Sequence, residues 1–524
     1  MSRKRIVILG GGFGGVYTAR FLERFLRPDE AELALVNREN YFVFQPLLPE
    51  VISGSVGLLD TVSPIRRLCP RTQLYVREVE TIDLQAAKVT LAPNLRPRRI
   101  ELPYDYLVIA SGTVTAFGSM PGLAEHALPF RTLGDAVRLR NRALQVLEEA
   151  DNETDAGFRT RLLTFVVSGG GFSGVEVIAE LNDFARRAAK SFQTIRPEEI
   201  RCVLIHSRDR ILPEITPGLA DYAQKLLQKR GVELKLNARL QSATAEHVLL
   251  STGESIPAKT LVATVPAGLP ALLQELDCPK QGQRLAVNTS LELQGEEGRV
   301  WALGDCARIT MANGEIAPPT AQHATREART VAENIRAAAR GETKREFSFA
   351  GLGKLGSLGH HSAVAEVFGM HVSGLPAWLL WRTIYLMKLP GLDRKLRVAI
   401  DWTSALLFPT DLVQLRTQPS DNITSVHYEA GDVIFEQGDV GDCMFVVRSG
   451  EIEVVRDGTR IAVLGEGEYF GEAALLSNEP RSAAVRALQP SNLLSISKAD
   501  FKKLLGTFPE LSSEISRVIE SRRA

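Results

Sequence analysis

Apolar runs and glycine-rich turns follow each other in a fixed order near the start of the chain. Residues 5–9 form a short apolar run, residues 10–15 supply a glycine-rich turn, and an apolar pattern of helical period extends from Val16 to about Leu26. A second apolar run occupies residues 32–36. Strand, turn, helix and strand in this order predict one βαβ unit of a doubly wound α/β fold.

The same order recurs further along the chain. An apolar run at 163–167 precedes a glycine-rich turn at 168–174, a helical pattern from Val175 to about Ala189, and another apolar run at 202–205. We therefore predict two Rossmann-like dinucleotide-binding domains in one polypeptide.

Each turn has the spacing G-x-G-x-x-G. This spacing arises by chance about 0.3 times in a chain of this glycine content, so the motif alone is weak evidence for a nucleotide site. The position of each turn between a strand and a helix is the stronger evidence. The first glycine permits a tight bend, the second lets the backbone approach a pyrophosphate, and the third lets helix and strand pack closely. A glycine turn without a ligand is the alternative. The glycines are Gly10, Gly12 and Gly15 in the first turn and Gly169, Gly171 and Gly174 in the second. Two such sites predict an enzyme that passes electrons between two dinucleotides.

Two further apolar runs, 104–109 and 300–303, end in small or acidic residues. Strand ends of this kind are where a doubly wound sheet places its ligand contacts. The residues at these ends are Ala110, Ser111, Gly112, Gly304 and Asp305.

The last hundred residues have a different pattern, with short apolar runs separated by glycine turns at intervals of about 8–12 residues, which predicts a small antiparallel β jelly roll. Two helices, 498–505 and 509–522, are predicted to close the chain. The predicted strands are 426–429, 433–436, 443–447, 452–456, 459–464, 484–487 and 492–497.

Composition and charge exclude several classes of protein. Among 524 residues, Lys+Arg and Asp+Glu both number 62, so no global field marks a nucleic-acid-binding protein. The five cysteines form no C-x-x-C pair and no Cys/His cluster at metal-ligand spacing, which indicates a reducing compartment and no metal site. The first apolar run is too short for a signal peptide, so we expect no export.

Residues 375–408 combine aromatic, aliphatic and basic residues without a run of 18 apolar residues that could span a bilayer. Three of the four tryptophans, Trp378, Trp381 and Trp402, lie here. Aromatic residues at headgroup depth and cations facing anionic lipid are typical of an interfacial segment. We expect this segment to lie on a bilayer surface. The alternative is an amphipathic pair packed on the protein itself or in a homodimer interface.

The stretch 37–48 (Asn-Arg-Glu-Asn-Tyr-Phe-Val-Phe-Gln-Pro-Leu-Leu), the Gly-Asp pair at 304–305 and the Ala-Gln-His-Ala stretch at 321–324 resemble type II NADH:quinone oxidoreductases, and the similarity covers roughly residues 4–416. The resemblance implies FAD on the first glycine turn, NADH on the second, and a membrane quinone as acceptor. It also implies a peripheral protein on the cytoplasmic face of the inner (plasma) membrane, anchored after the second flavin segment.

The resemblance implies roles for individual residues. Asp305 hydrogen-bonds the ribityl chain of the flavin, Glu176 lies near the nicotinamide and quinone, and Gln322 lies beside the isoalloxazine where quinone docks. Glu176 and Gln322 are therefore the predicted catalytic residues. The expected FAD contacts are Gly10, Gly12, Phe13, Gly14, Gly15, Asn37, Arg38, Gln45, Ala110, Ser111, Gly112, Gly304, Asp305 and Gln322. The expected contacts of the nicotinamide cofactor are Gly169, Gly171, Phe172, Ser173, Gly174, Glu176, His206 and Arg208.

The chemistry of the acceptor fits this assignment. Relatives that reduce disulfides need a C-x-x-x-x-C pair beside the flavin, and no two cysteines here are that close, so a thiol acceptor is excluded. Quinone or another small acceptor remains. Because quinone reduction takes up two protons, a carboxylate such as Glu176 suits a proton relay. The alternative for Glu176 is a solvated glutamate favoured by the helix dipole.

Two strand ends depart from the acid that usually binds a ribose hydroxyl. Asn37 stands at the first and can still accept a hydrogen bond. His206 stands at the second, followed by Arg208 and Arg210, which makes NADPH an alternative to NADH, although the resemblance favours NADH. Residues 264–268 (Thr-Val-Pro-Ala-Gly) also depart from the Thr-Ala-Gly pattern that is commoner at this cofactor contact in the family.

Residues 467–485 resemble the phosphate-binding cassette of cyclic nucleotide-binding domains. Arg481 can pair with the ring phosphate, and Glu472 can accept from a ribose 2′-hydroxyl. Serine at 482 favours cAMP over cGMP, and a degenerate domain without ligand is the alternative. Too few residues follow for a DNA-binding helix-turn-helix, so no nucleic acid is expected. The predicted contacts are Phe470, Gly471, Glu472, Ala473, Ala474, Arg481, Ser482 and Ala483.

Together these features predict a peripheral, FAD-dependent NADH:quinone oxidoreductase that does not pump protons and is regulated by cAMP. The alternatives are an NADPH-preferring flavoenzyme with another small acceptor and a non-catalytic, cyclic nucleotide-sensing scaffold. The predicted domains are an FAD-binding domain in two parts (1–115 and 291–345), a nicotinamide-binding domain (116–290), an anchor region (346–416) and a cyclic nucleotide-binding domain (417–524).

Overall fold

A computed structural model describes residues 3–93, 98–117, 120–264, 267–408, 411–415, 423–441, 443–477, 480–498 and 501. Within these residues each predicted βαβ unit contributes to its own five-stranded sheet, and all the strand pairs in both sheets are parallel. Continuous runs of Val, Ile and Leu form the central strands because both faces of a parallel sheet are covered by other elements. The mixed α/β fold predicted from the sequence is confirmed.

The first sheet forms from distant parts of the chain. The helices Phe13–Phe25 and Ala321–Arg340 pack against each other beside it. The strand order is Val300–Ala302, Tyr106–Ile109, Lys4–Leu9, Ala31–Asn37 and Gln73–Val76. A smaller antiparallel sheet consists of Val79–Asp83, Lys88–Leu91 and Ile100–Pro103.

The second sheet has the strand order Ala127–Pro129, Thr260–Ala263, Thr164–Ser168, Arg201–Ile205 and Val232–Lys235. Its helices are Leu133–Asn152, Ala156–Leu162, Phe172–Ala189 and Pro217–Lys229. An antiparallel sheet of Leu240–Ala243, His247–Leu250 and Ser255–Pro257 is appended to it.

Both helices that follow the glycine turns begin three residues earlier than predicted, at Phe13 and Phe172. The residues that cap them, Gly12 and Gly171, have extended backbone and belong to the turns themselves. The free N–H groups at the start of each helix therefore lie at the glycine turn, where a helix attracts an anion.

The region that follows helix Ala321–Arg340 is a three-stranded antiparallel sheet and a helix pair. The strands are Gly353–Ser357, Ala363–Val367 and Met370–Gly374, and the helices are Leu375–Lys388 and Leu392–Leu407. Among the described residues, no helix has the length and apolar character needed to cross a membrane.

The C-terminal unit consists of two four-stranded antiparallel sheets, as the jelly-roll prediction requires. The short helix Glu472–Ser477 lies between its strands. The predicted helices at 498–505 and 509–522 fall largely outside the described residues. One sheet contains Ile423–Tyr428, Ser491–Ser497, Cys443–Ser449 and Tyr469–Phe470, and the other contains Val433–Phe435, Ala484–Ala487, Ile452–Arg456 and Thr459–Leu464.

Short elements connect these units. The paired short strands are Tyr41–Val43 with Val62–Pro64, Val114–Thr115 with Ala267–Gly268, and Leu285–Ala286 with Ala307–Arg308. The short helices are Gln45–Leu47, Leu48–Ser53, Leu58–Thr61, Ile65–Leu68, Leu123–His126, Pro197–Glu199, Ala271–Glu275 and Gly304–Cys306.

Candidate active site and nucleotide pocket

One cavity of about 490 Å³ is bordered by both dinucleotide units. The first glycine turn lines one side of it, and the first turn of helix Phe172–Ala189 contributes Phe172, Ser173 and Glu176. The strand ends predicted as ligand contacts, at 110–112 and 304–305, also line it. The start of the second unit's helix therefore lies at the same cavity as the first glycine turn, whereas Gly169, Gly171 and Gly174 do not line it.

The first glycine turn has a geometry that requires glycine. Gly10 has φ +109°, and a Cβ atom on Gly15 would lie 1.9 Å from the carbonyl oxygen of Gly10. A Cβ on Gly12 would meet nothing within 4 Å, so the backbone there is open to the cavity. The N–H of Gly11 donates to Oδ1 of Asn37 at 2.8 Å. These features fit the close approach of a pyrophosphate.

The second glycine turn repeats the tight bend and the close packing of the first, but a Cβ on Gly171 would lie 3.0 Å from Oε1 of Glu214, so the backbone there is less open than at Gly12. Gly169 has φ +121°, and a Cβ on Gly174 would lie 1.8 Å from the carbonyl oxygen of Gly169. The N–H of Gly170 donates to Nδ1 of His206 at 3.1 Å, as the N–H of Gly11 does to the asparagine of the first unit. The two strand-end residues that depart from the usual acid therefore both hold the turn.

Asp305 lies in the turn Gly304–Cys306 and lines the cavity. Its Oδ2 is 4.0 Å from Nη2 of Arg131, which also donates to the hydroxyl of Thr113. Arg131 lines the cavity too, although no sequence motif singles it out. Its placement beside Asp305 depends on the packing of the two dinucleotide units.

Glu327 is a second residue that the sequence did not indicate. It is buried on helix Ala321–Arg340, and its Oε2 accepts from the N–H of Gly304 at 2.8 Å. Burial raises the pKa of Glu327 to about 8. The sequence signal that could have identified Glu327 is a charged residue on the otherwise apolar face of helix Ala321–Arg340.

Glu176 is held at the cavity by one hydrogen bond. Its Oε1 accepts from the N–H of Ser357 at 3.0 Å. Burial raises the pKa of Glu176 to about 8, and the nearby charge of Glu50 adds to the increase, whereas the N–H of Ser357 opposes it. Its side chain is half-buried in the cavity wall, where an ordinary solvated glutamate would be exposed. The carboxyl group is mostly protonated at neutral pH.

Several predicted cofactor contacts do not line the cavity: Gly15, Arg38, Gly169, Gly171, Gly174, His206, Arg208 and Gln322. Gln322 donates through Nε2 to the carbonyl oxygen of Gly353 at 3.1 Å and accepts through Oε1 from the N–H of Leu352 at 3.1 Å. It thus joins the flavin-side helix to the sheet that precedes the helix pair. Arg38 is exposed and forms an ion pair with Glu78. Their predicted contacts with FAD remain predictions.

The tryptophans of the helix pair point into the protein. Trp378, Trp381 and Trp402 are all buried, so the expectation that they lie at headgroup depth is wrong. The guanidinium of Arg382 lies 3.9 Å from the ring centroid of Trp378 and 4.6 Å from that of Trp402. The indole Nε1 of Trp402 donates to Oε2 of Glu50 at 2.6 Å. The alternative, in which the helix pair packs on the protein itself, is correct for the face that carries the tryptophans.

The opposite face of the helix pair is aliphatic and exposed. Helix Leu392–Leu407 repeats apolar residues at helical spacing on its outer side. The exposed large apolar side chains of the pair and its flanks are Leu375, Leu379, Met387, Leu392, Leu396, Ile400, Leu406, Leu407 and Phe408. A contiguous apolar face of this kind is typical of a membrane or protein contact.

The C-terminal unit has its own cavity of about 470 Å³. Glu472 and Arg481 both line it, and each has 4% of its surface exposed. Arg481 donates from Nη1 to the carbonyl oxygen of Gly471 at 2.7 Å and from Nη2 to that of Cys443 at 2.6 Å. All eight residues predicted from the cassette line the cavity.

The guanidinium of Arg481 keeps donors for a ligand. It has five N–H groups, and the two bonds to backbone carbonyls occupy two of them. Its Nε is buried and has no hydrogen-bond partner among the described residues. A buried cation with unused donors in a pocket suits an anionic group.

Comparison with known families accounts for most of the chain. The model described as pyridine nucleotide-disulphide oxidoreductase matches residues 4–328, which is more than half of the chain. The type II NADH:quinone oxidoreductase NdhA of Mycobacterium tuberculosis is 31% identical over 421 residues, which cover 76% of this chain and 87% of that protein. The chain belongs to the type II NADH:quinone oxidoreductase family.

Further similarities agree with this family assignment. The NDH2 C-terminal domain model matches residues 352–411, and the cyclic nucleotide-binding domain model matches residues 425–508. The demethylphylloquinone reductase NdbB of Synechocystis is 32% identical over 411 residues, covering 76% of this chain and 96% of that protein. The fold resembles a solved structure of NDH2 from Plasmodium falciparum in complex with NADH, with a TM-score of 0.72 at 19% identity, covering 78% of this chain and 100% of that one. This member of the oxidoreductase family thus carries a cyclic nucleotide-binding domain at its C-terminal end.

Proposed function

We propose that this protein is an FAD-dependent NADH:quinone oxidoreductase. The observation that carries the proposal is the single cavity bordered by both dinucleotide units. When bound, FAD supplies a two-electron carrier between NADH and the quinone. Gly10, Gly12 and Gly15 would hold its pyrophosphate, and Asp305 its ribityl chain. NADH would lie on the second glycine turn.

The residues around the cavity have separate tasks in this proposal. Glu176, protonated at neutral pH, would deliver a proton to the reduced quinone. Gln322 would fix the sheet that carries Ser357, the hydrogen-bond donor to Glu176. Phe13, Phe130 and Phe172, aromatic residues in the cavity lining, would help to keep water from the reacting groups.

The flavin itself provides the test. The purified protein should show flavin absorbance that NADH bleaches and a soluble quinone restores. Flavin that NADH leaves oxidised would instead support a non-catalytic sensor. Restoration by another small acceptor but not by quinone would overturn the choice of substrate.

We also propose peripheral attachment to the cytoplasmic face of the membrane through the aliphatic side of helices Leu375–Lys388 and Leu392–Leu407. The aliphatic face supports it because leucine and isoleucine gain free energy on leaving water for the acyl boundary. A homodimer remains a prediction that would be measured by the mass of the detergent-free protein in solution.

A regulatory role for the C-terminal domain is the second proposal, and a direct contact favours it. The carbonyl oxygen of His427, on a C-terminal strand, is 2.9 Å from Nε2 of His126. His126 precedes strand Ala127–Pro129, which leads directly to Arg131 in the flavin cavity. cAMP in the pocket of Arg481 would therefore alter turnover through this short connection.

A second contact holds the segment that precedes the C-terminal domain. Leu415 lies in the segment between the helix pair and the C-terminal domain. Asn141 donates through Nδ2 to the Leu415 carbonyl oxygen at 2.6 Å and accepts through Oδ1 from the Leu415 N–H at 3.0 Å. Turnover and liposome binding would be measured with and without saturating cAMP and cGMP. Identical values in every condition would contradict regulation.

A further inference from the structure

The second glycine turn is held by a histidine that has no acceptor left for a ribose. His206 follows strand Arg201–Ile205, at the position where dinucleotide sites place an acid that accepts from the ribose 2′-hydroxyl. Its Nδ1 accepts from the N–H of Gly170 at 3.1 Å. An imidazole nitrogen that accepts has one lone pair, and this bond uses it.

The tautomer follows from this bond. Because Nδ1 accepts, the ring proton lies on Nε2, which makes Nε2 a donor. Burial lowers the pKa of His206, as does the charge of Arg208, whereas the Arg210 backbone and Asp209 oppose the decrease. The ring is neutral near pH 7 and leaves the cofactor no acceptor.

The first dinucleotide unit provides an internal comparison. Oδ1 of Asn37 accepts from the N–H of Gly11 at 2.8 Å in the same arrangement. An amide oxygen has a second lone pair, so Asn37 can accept from a ribose hydroxyl while it holds the turn. His206 cannot do both. The two units thus hold their turns alike and differ in what they offer a ribose.

The residues after His206 add positive charge at this strand end. Arg208 and Arg210 flank Asp209, the one carboxylate among residues 206–210. Arg208 is exposed, and its charge reaches the His206 ring. A guanidinium can form paired hydrogen bonds with a phosphate. This strand end therefore lacks the acid that selects NADH and has a cation that suits a 2′-phosphate.

We infer that the second nucleotide site accepts NADPH as well as NADH, with His206 removing the selection against the 2′-phosphate and Arg208 pairing with it. This inference rests on the proposed oxidoreductase function and specifies its electron donor. The wild-type protein should oxidise the two donors with kcat/KM values within roughly tenfold of each other.

Three variants test the assignment. His206→Asp keeps an acceptor for the N–H of Gly170, as Asn37 does, and adds an oxygen for the 2′-hydroxyl. It should shift the kcat/KM ratio towards NADH by roughly tenfold or more. Arg208→Ala should lower kcat/KM for NADPH by a similar factor and lower kcat/KM for NADH by clearly less, so that the ratio shifts towards NADH. Arg239→Ala, another exposed arginine of this domain, is the matched control and should change neither value.

Measurements of nucleotide binding in the absence of turnover distinguish a failure of the specificity inference from a failure of the proposed oxidoreductase function. Affinities for NAD⁺ and NADP⁺ would be titrated in each variant, and the ratio of dissociation constants should follow the kinetic ratio. A wild-type preference for NADH above about tenfold, in binding and in turnover, would overturn the specificity inference alone. Binding of neither nucleotide would overturn the oxidoreductase proposal itself.

Discussion

Glu176→Gln removes the one titratable group that the structure places in both the flavin cavity and the contact with Ser357. Glutamine keeps the size of the side chain and an oxygen for the Ser357 N–H, so the fold should survive. What disappears is an acidic proton beside the reacting groups. We expect quinone reduction to slow by roughly 10² to 10⁴, the range for loss of a general acid.

The pKa determines the pH dependence. With a pKa of about 8, Glu176 is roughly nine-tenths protonated at pH 7 and roughly one-tenth protonated at pH 9, whereas an ordinary glutamate would be under about one-hundredth protonated at pH 7. The acid form is present below the pKa and lost above it. Quinone turnover should therefore fall about tenfold between pH 7 and pH 9 in the wild-type protein.

The assay compares two acceptors. NADH oxidation would be followed from pH 6 to 9.5 with a soluble quinone, which takes up protons, and with ferricyanide, which takes electrons alone. Only the quinone rate should fall with rising pH, and Glu176→Gln should remove that fall. Glu198→Gln, at an exposed glutamate of the same domain, should retain it.

Either of two outcomes would refute the reasoning. If Glu176→Gln still shows the decrease between pH 7 and 9, another group supplies the proton. If ferricyanide reduction falls in parallel, the titration affects NADH binding or the flavin environment instead.

Three other changes test separate parts of the molecule. Arg481→Ala should weaken cAMP binding by about 1.5–3 kcal/mol, measured by calorimetry, and unchanged affinity would remove Arg481 from the site. Trp402→Phe deletes the 2.6 Å bond to Glu50 and should lower the free energy of unfolding in urea by about 1.5–3 kcal/mol. Trp381→Phe is its control, because the Trp381 Nε1 has no partner among the described residues, and an equal loss would contradict the hydrogen-bond account. Leu396→Glu, at a side chain 58% exposed, should reduce liposome binding roughly tenfold or more, and full binding would place the membrane contact elsewhere.

Much of the fold and several site residues could be predicted from the sequence because local geometry dictates residue type. In each dinucleotide turn the first glycine has φ above +100°, and a Cβ on the third glycine would lie within 2 Å of a carbonyl oxygen. Only glycine tolerates either condition, so both turns can be recognised in the sequence. The cassette of Glu472 and Arg481 is contiguous in the same way. Helix starts were less predictable, since the glycines that cap them belong to the turn and to the helix at once.

Only the tertiary structure determined whether residues such as Trp402 and Glu176 face the protein interior or its surface. Tryptophan is stable both at a bilayer surface and in a core, so the sequence could not tell that Trp402 faces Glu50, a residue 352 positions away. In the same way, residue type leaves open whether a first-turn glutamate is solvated or buried. Long-range packing placed Glu176, half-buried, against Ser357 and brought His206 to Gly170, because burial and hydrogen bonding depend on neighbours that the local sequence does not contain.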